Sequence, residues 1–309
     1  MPKYSVVISV YNKEKHISKT LKSVLAQTIQ DFEIVILNDG STDNSEAEIL
    51  KFKDERIRYF SEENMGAGAG RNYVIKKAKG NYIALLDADD YWYSFYLEEQ
   101  SRIIEKYPEE SVFATNSEII KGSKKIERNY SIDISNKTDL LTDFFKASYL
   151  TSIVNSSSTV IHKDVFEKVG YYDPSFKTGE DTDLFIRIGI SYKIVFNTRV
   201  CTSILVLKDS LSRTAKKVAE KASFDKFEKY EPENPFLKKY IDLNRYSLCL
   251  LAKLEGNKEA FHNNFTKIDA HNLSKKQLFL LKQNKKTLQY LLKVKESLQG
   301  LGIRLTVFK

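Results

Sequence analysis

The sequence predicts an α/β fold, a Rossmann-like mixed sheet flanked by helices, followed by an all-helical C-terminal region. Three observations carry this expectation. Up to Tyr130, short β-rich runs alternate with helical patterns, as in a parallel sheet with crossover helices. Each of the first four runs is followed by a polar cluster, and open α/β sheets bind ligands at the carboxyl ends of their strands. From Ser212 onward the apolar spacing turns helical, with no convincing strand.

Element by element, Tyr4–Val10 (YSVVISV) reads as the first strand. Ile17, Leu21, Val24 and Leu25 recur at i, i+4, i+7 and i+8, giving a helix over His16–Gln27 one apolar face. Phe32–Leu37 is the second strand, and Asn38–Asp43 is a turn with capping residues ahead of a helix toward Phe52. Ile57–Phe60 is a third strand, Met65–Gly70 opens another helix, and Tyr82–Leu86 is a fourth strand running into Asp87-Ala88-Asp89-Asp90. A helix over Phe95–Tyr107 precedes a hairpin of Val112–Ile120 and Ile126–Tyr130, which makes the sheet mixed. Thr138–Ala147 is expected to be helical, Ser158–His162 a strand, Asp181–Ile190 a helix, and Ile194–Phe196 and Thr202–Leu207 two last strands. In the helical region, Tyr230–Pro235 is a break, and Gly256-Asn257 and His271–Ser274 are turns.

Composition narrows the function classes. With 309 residues, 42% hydrophobic and 29% charged, and only 12 Gly and 5 Pro, the chain is neither collagen-like nor linker-like and can bury a sizeable core. Cys201 and Cys249, neither in a CxxC pair, exclude a disulfide framework and a four-thiolate zinc site, and fit a reducing cytoplasm. No run approaches the ~18 apolar residues of a membrane span, and Met1–Val10 reads as a strand rather than a signal peptide. The net charge of +8 is uneven: residues 210–309 carry 21 Lys+Arg against 10 Asp+Glu, so +11, leaving 28 against 31, so −3, for residues 1–209. Two units are therefore expected, an α/β one over 1–209 and a basic helical one over 210–309. The basic unit would supply acceptor contacts, a homodimer interface, or attraction to an anionic membrane surface at ~1 kcal/mol per well-placed basic residue. A solvated helical face explains the same charge. No nucleic-acid motif accompanies it, so nucleic acid is not an expected partner.

The strand-end clusters carry the chemistry. Alternate residues at a strand end can project together, so Asp87 and Asp89 would bring two carboxylates near one point, where their repulsion calls for a cation. Hard carboxylate oxygens select Mg²⁺ or Mn²⁺, which can stabilise a departing diphosphate. The competing account is that these acids cap the next helix, a role that suits Asp90. Asp39 is either a turn residue before Gly40 or an acceptor for the imide N–H of a uracil. Tyr11 either stacks on a base or packs under its loop. Arg71, near a helix start, suits a diphosphate or is a surface arginine. The Gly66–Gly70 run invites a dinucleotide-binding dehydrogenase reading, but its spacing is GxGxG, it follows the third strand, and it leaves the Asp87/Asp89 pair unexplained. Small residues for tight helix packing are the better account. Glu180 and Asp181, at the front of an amphipathic helix, are either dipole partners, as Asp183 is expected to be, or carboxylates facing a bound donor. His162 reads as structural.

Together these clusters resemble the inverting family 2 glycosyltransferases of the GT-A fold. The matching elements are SVVISVYNKEKHISKTLKSVLAQT (5–28), FEIVILNDGSTDNS (32–45), ENMGAGAGRN (63–72), GNYIALLDADDYW (80–92), VGYYDPSF (169–176) and GEDTDLFIR (179–187). The resemblance implies that Val10, Tyr11 and Asp39, assisted by Glu14, hold the nucleobase, and that Arg71 lies by the diphosphate. It places Asp87 and Ala88 with the nucleotide sugar, Asp87 near the ribose or metal, and Asp89 on a Mn²⁺ or Mg²⁺ ion. Asp181 would be the catalytic base and Glu180 would orient the acceptor. The implied partners are a nucleotide sugar, most naturally a UDP-sugar, and a glycan or lipid-linked saccharide acceptor in surface polysaccharide assembly, at the inner face of a membrane. Where family members often carry a histidine after the last core strand, this chain has Leu205-Val206-Leu207-Lys208-Asp209-Ser210-Leu211-Ser212. A third metal ligand from that loop is not expected, and Lys208 is a candidate diphosphate contact instead. Neither a QxxRW element nor a membrane span is present, which argues against a processive polymerase. A degenerate transferase serving as a binding subunit remains the non-enzymatic alternative.

Overall fold

The computed structural model describes residues 1–207 and 217–300. Its centre is a sheet of strand order β3-β2-β1-β4-β9-β6-β10-β5, with β7 on β6 and β8 on β10. These strands are β1 (Tyr4–Val10), β2 (Phe32–Asp39), β3 (Ile57–Glu62), β4 (Tyr82–Leu85), β5 (Tyr91–Trp92), β6 (Val112–Lys121), β7 (Lys124–Glu127), β8 (Asp139–Thr142), β9 (Thr159–His162) and β10 (Ile194–Leu205). β1 lies parallel to β2 and β4 with Val6 opposite Ile34 and Ala84, and β2 lies parallel to β3. β9 runs antiparallel between β4 and β6, which makes the sheet mixed as expected.

The period-2 alternation of β1 divides the core. Tyr4, Val6, Ile8 and Val10 face one way and pack with Ile17, Leu21 and Val24 of α1 (Ile17–Leu25) and with Tyr96 and Leu97 of α4 (Tyr96–Lys106). Val7 faces the other way, into a cluster with Val74 and Ile75 of α3 (Ala67–Lys77) and Leu184, Phe185 and Ile188 of α7 (Glu180–Ser191). Between these helices fall α2 (Ser45–Leu50), α5 (Phe144–Ala147) and α6 (Asp164–Val169). With both faces covered, every residue of β2 is buried, which is why its sequence reads as a nearly unbroken apolar run.

The C-terminal helices are α8 (Pro235–Glu255), α9 (Lys258–Phe265), α10 (Lys275–Lys282) and α11 (Lys285–Gly300). The break before α8 is an Asn234 side chain that accepts from the Leu237 N–H, with Pro235 in the first turn, and the helix ends on Gly256 at φ +90°. Leu237, Tyr240, Ile241 and Leu248 of α8 enter the same apolar cluster as α3 and α7. No helix among the described residues is long and apolar enough to cross a membrane.

Three elements depart from expectation. Residues 139–142 form β8, antiparallel to the start of β10, and only Phe144–Ala147 is helical. Asp143 accepts from the Lys146 N–H and starts that helix late, while Arg102, Lys106 and Tyr107 hold Asp139 at 2.8–2.9 Å. The two expected last strands are one, β10, because Asn197-Thr198-Arg199 is absorbed as bulges against β6. β5 is only two residues long, too short to leave a pattern in sequence. The proposed unit boundary at 209/210 and Lys208 lie outside the described residues.

Candidate active site

The carboxyl ends of β1 and β2 carry two loops stitched together by side chains. Asn12, at φ +52°, accepts from the Thr42 N–H (2.8 Å), the Asn12 N–H donates to Ser41 (3.1 Å), and the Lys13 N–H donates to Ser45 (2.7 Å). Glu14 belongs to the same stitching, accepting from the Asn44 N–H at 3.0 Å. Tyr11 stands at the tip, 46% exposed, while Val10 is fully buried.

Asp39, only 1% exposed, ends β2. Its Oδ1 accepts from the Met65 N–H at 2.8 Å, and its backbone carbonyl accepts from Asn64 at 2.9 Å. Burial raises the pKa of this carboxyl, and the Met65 and Gly66 amides work against that rise. The small residues of the Gly66–Gly70 run serve packing: a Cβ on Gly70 would lie 2.4 Å from the Ser9 hydroxyl and 3.3 Å from Asp39 Oδ2. Glycine there lets α3 rest against Ser9 of β1 and Asp39 of β2.

α3 then delivers Arg71 to the middle of the cleft. Its Nη2 donates to Asp87 Oδ1 and its Nη1 to Glu180 Oε1, both at 2.8 Å, and Nη1 lies 3.6 Å from Asp181 Oδ1. One guanidinium, 15% exposed, thus joins the end of β4 to the start of α7, reaching Glu180 across 109 residues of chain. Burial opposes its charge, but Asp181, Asp87 and Glu180 more than compensate and keep it protonated. Its position is secured from behind, because Asn72 forms two hydrogen bonds with the Tyr172 backbone and the Tyr172 ring lies under the guanidinium.

Asp181 behaves differently from its neighbours. Burial, reinforced by Glu180 and Asp87, pushes its pKa up to about 6, against the lowering influence of Arg71 and of a 2.8 Å hydrogen bond from Ser156. The side chain is 37% exposed, so water reaches it. Both Ser156 and Arg71 engage Oδ1, which leaves Oδ2 without a hydrogen bond among the described residues.

The Asp87–Asp90 run divides its labour. Asp87 meets Arg71, and Asp89 Oδ2 meets Lys13 Nζ at 2.7 Å. Ala88 is buried, and its carbonyl accepts from Thr20. Asp90 does not cap α4, whose first turn follows Phe95. It is buried against the Leu205 N–H (2.8 Å) and the Ser157 hydroxyl (2.5 Å), and burial together with Asp87 and Asp89 pushes its pKa up. Asp183 lies in the first turn of α7, where a dipole partner is expected. It is fully buried between Arg187 (3.0 Å) and Lys226 (2.5 Å).

Residue reasoning missed Ser156 and Ser157. Ser156 holds Asp181, while Ser157 donates to Asp90 and accepts from the Asp87 N–H. They precede β9, and because β9 is antiparallel its amino end lies at the same rim as the carboxyl ends of β1, β2 and β4. The polar run Asn155–Ser158 was the available signal.

No group of three potential metal ligands occurs among the described residues. The chemistry of the donor set still fits a magnesium-like ion, which is usually held by one or two carboxylates plus substrate phosphates and water. Asp87 and Asp89 offer two hard oxygen donors of that kind, each with one oxygen engaged by a basic side chain.

Comparison with known proteins agrees with this architecture. An uncharacterized glycosyltransferase of Rickettsia bellii is 32% identical over 193 residues, 60% of this chain but only 27% of the relative. The UDP-Glc:alpha-D-GlcNAc-diphosphoundecaprenol beta-1,3-glucosyltransferase WfgD of Escherichia coli is 36% identical over 129 residues, 41% of this chain and 48% of that protein. The crystal structure of S. aureus TarS 1-349 in complex with UDP-GlcNAc superimposes with a TM-score of 0.60 at 16% identity, covering 85% of this chain and 89% of that one, which supports the GT-A-type fold. The family model described as glycosyl transferase family 2 matches residues 5–170, over half of the chain, and the chain belongs to that family.

Proposed function

We propose that the protein is a metal-dependent, inverting glycosyltransferase that moves a sugar from a UDP-sugar to a hydroxyl of a glycan or lipid-linked saccharide. The observation that carries this reading is the Arg71 cluster, which sets a carboxylate of near-neutral pKa, Asp181, beside the acids at the end of β4. A general base works best when its pKa lies near the operating pH. Asp181 Oδ2 would take the proton from the acceptor hydroxyl as that oxygen attacks the anomeric carbon from the face opposite the leaving diphosphate, inverting the configuration. Glu180 would orient the acceptor.

On the other side of the cleft, Asp39 is an acceptor-only group suited to the imide N–H of uracil, and Tyr11 is exposed for stacking on the base. Val10 would meet the nucleoside through its backbone, with Glu14 bracing the loop. Arg71 would turn from the acids toward the diphosphate when donor binds. Asp87 and Asp89 would hold Mg²⁺ or Mn²⁺, which when bound neutralises charge on the leaving nucleoside diphosphate. The E. coli relative's UDP-glucose donor and diphosphoundecaprenol-linked acceptor, and the UDP-GlcNAc bound to TarS, support the uridine donor and the lipid-linked saccharide.

A nucleotide-sugar screen for release of nucleoside diphosphate, with and without Mn²⁺, tests this reading. The expected result is consumption of a UDP-sugar only when Mn²⁺ or Mg²⁺ is present. Failure to consume any nucleotide sugar, together with no UDP binding by calorimetry, would overturn it.

A further inference from the structure

The front of α7, which carries Glu180 and Asp181, is fastened from outside the sheet. Residues 217–230 precede α8 and contain two 3-10 turns, Val218–Glu220 and Asp225–Tyr230. The Glu220 carbonyl accepts from both the N–H and the hydroxyl of Thr178 at 3.1 Å, and Thr178 and Lys221 form an isolated parallel β-bridge. Gly179, at φ +90°, lies so close that a Cβ there would sit 3.2 Å from Ala222. Further along, Lys226 Nζ reaches Asp183 Oδ1 at 2.5 Å. The segment is itself well seated: Phe224 and Phe227 are buried in the same apolar cluster as Leu184 and Phe185 of α7, and Arg245 of α8, 1% exposed, pairs with Glu228 and Glu231.

We propose that Lys226 is a positioning residue for the proposed base: it holds the first turn of α7, and through that turn it keeps Asp181 in place beside Arg71. The inference rests on the function proposed above and gives a part in the chemistry to a residue beyond the stretch matched by the family model.

Asp183 is the link. It is fully buried and lies two residues from Asp181 in the first turn of α7. Arg187, one turn on in the same helix, takes Oδ2 at 3.0 Å and is itself tied to the carbonyls of Val169, Gly170 and Tyr171. Lys226 is the ion-pair partner of Oδ1, which receives no other polar contact among the described residues. Removing one partner of a buried pair leaves charge uncompensated, and the turn that bears it must shift or admit water. Asp181 rides on that turn, 3.6 Å from Arg71 Nη1. A misplacement of about 1 Å near reacting groups can cost up to ~10²-fold in rate. Lys226 is 44% exposed, so replacing it opens no cavity in the core.

The test uses the full chain with Lys226→Met, Lys226→Arg and, as a control for net charge, Lys229→Met, whose ammonium faces the Tyr230 ring instead. Hydrogen exchange read by mass spectrometry should speed up at least fivefold over residues 183–187 in Lys226→Met, where the Asp183 N–H closes the first turn on the Gly179 carbonyl, and should match the parent in the other two. With a nucleotide sugar that the parent consumes, kcat for release of nucleoside diphosphate should fall about tenfold in Lys226→Met. The donor KM should move less than twofold, and Lys226→Arg should recover most of the loss. Added to Asp181→Asn, Lys226→Met should cost less than a further twofold, because residues that act through one another are not additive. Lys226→Gln carries the test if the methionine variant fails to fold.

Unchanged exchange, an unchanged kcat, or an equal fold loss in the Asp181→Asn background would each overturn the proposal, the last by making Lys226 a support of the fold at large. Exchange that quickens in Lys226→Met and recovers in Lys226→Arg, in a protein that turns over no nucleotide sugar, would sink the transferase reading and leave the anchor of α7 standing.

Discussion

The two sides of the cleft are held together in different ways. On the proposed nucleotide side, contacts join neighbouring crossovers: Asn12 to Ser41, Glu14 to Asn44 and Asp39 to Met65 are 29, 30 and 26 residues apart. On the proposed acceptor side, Arg71 reaches Glu180 across 109 residues, and a cavity lined by Asp181 is completed by Asn244, Ser247 and Leu251 of α8. The first side is a set of local loop closures that each βαβ unit makes for itself. The second exists only when the whole sheet and the C-terminal helix have assembled. Disturbing the acceptor side should therefore damage chemistry while sparing nucleotide affinity, and the reverse should hold for the nucleotide side.

The sharpest break in this comparison is Asp181→Asn. The amide keeps the volume and can still pair with Ser156 but cannot take a proton, so turnover should fall by about 10²–10⁴-fold, the range for a positioned base. UDP affinity, measured by calorimetry, should stay within a few-fold of the parent. Equal turnover by variant and parent would remove Asp181 from the reaction.

Arg71→Ala probes the bridge between the two sides. Arg71 lowers the Asp181 pKa, so its loss leaves burial, Glu180 and Asp87 to raise that pKa further above about 6. A base acts when deprotonated, so the acid limb of kcat/KM should move to higher pH, by about one unit for a lost neighbouring charge. The loss of activity should then be about fivefold greater at pH 6 than at pH 8. Arg71→Lys, which keeps the charge but not the fork, should restore part of the shift. A limb that stays in place would show that Arg71 does not tune the base.

Legibility in the sequence follows the same division. β1, β2 and β4 and the acids that end them are readable because strand period and terminal polar residues are local. Asp87, Arg71, Glu180 and Asp181 were each recognisable as candidates, yet that one guanidinium joins three carboxylates is a tertiary fact that no spacing encodes. Ser156 and Ser157 escaped because attention to carboxyl strand ends overlooks an antiparallel strand that enters the rim by its amino end. β8 was read as helix because Leu140 and Leu141 suit either period, and pairing with β10 decides the matter. Asp90 illustrates a further limit: next to two acids it resembles a cap, and only its burial against Leu205 and Ser157 reveals a structural role.

The smallest effect expected concerns Lys13, a basic residue of the loop after β1 that touches the acidic run. Its ammonium sits 2.7 Å from Asp89 Oδ2, with the two side chains 25% and 17% exposed. An ion pair this accessible contributes about 0.2–1 kcal/mol, because water and salt screen it. A divalent ion bound by Asp89 would compete with that contact for the carboxylate and would also meet the repulsion of a nearby positive charge. Lys13→Met removes both costs while keeping an unbranched side chain, so Mn²⁺ affinity of the nucleotide-free protein, followed by electron paramagnetic resonance of the free ion, should tighten about two- to fivefold. With UDP present the gain should shrink or reverse, because a lysine released from Asp89 is then near phosphate oxygens. Weaker Mn²⁺ binding by the variant in the absence of nucleotide would mean that Lys13 supports the ion site rather than competing for it, and that the two sides of the cleft are less independent than their contacts suggest.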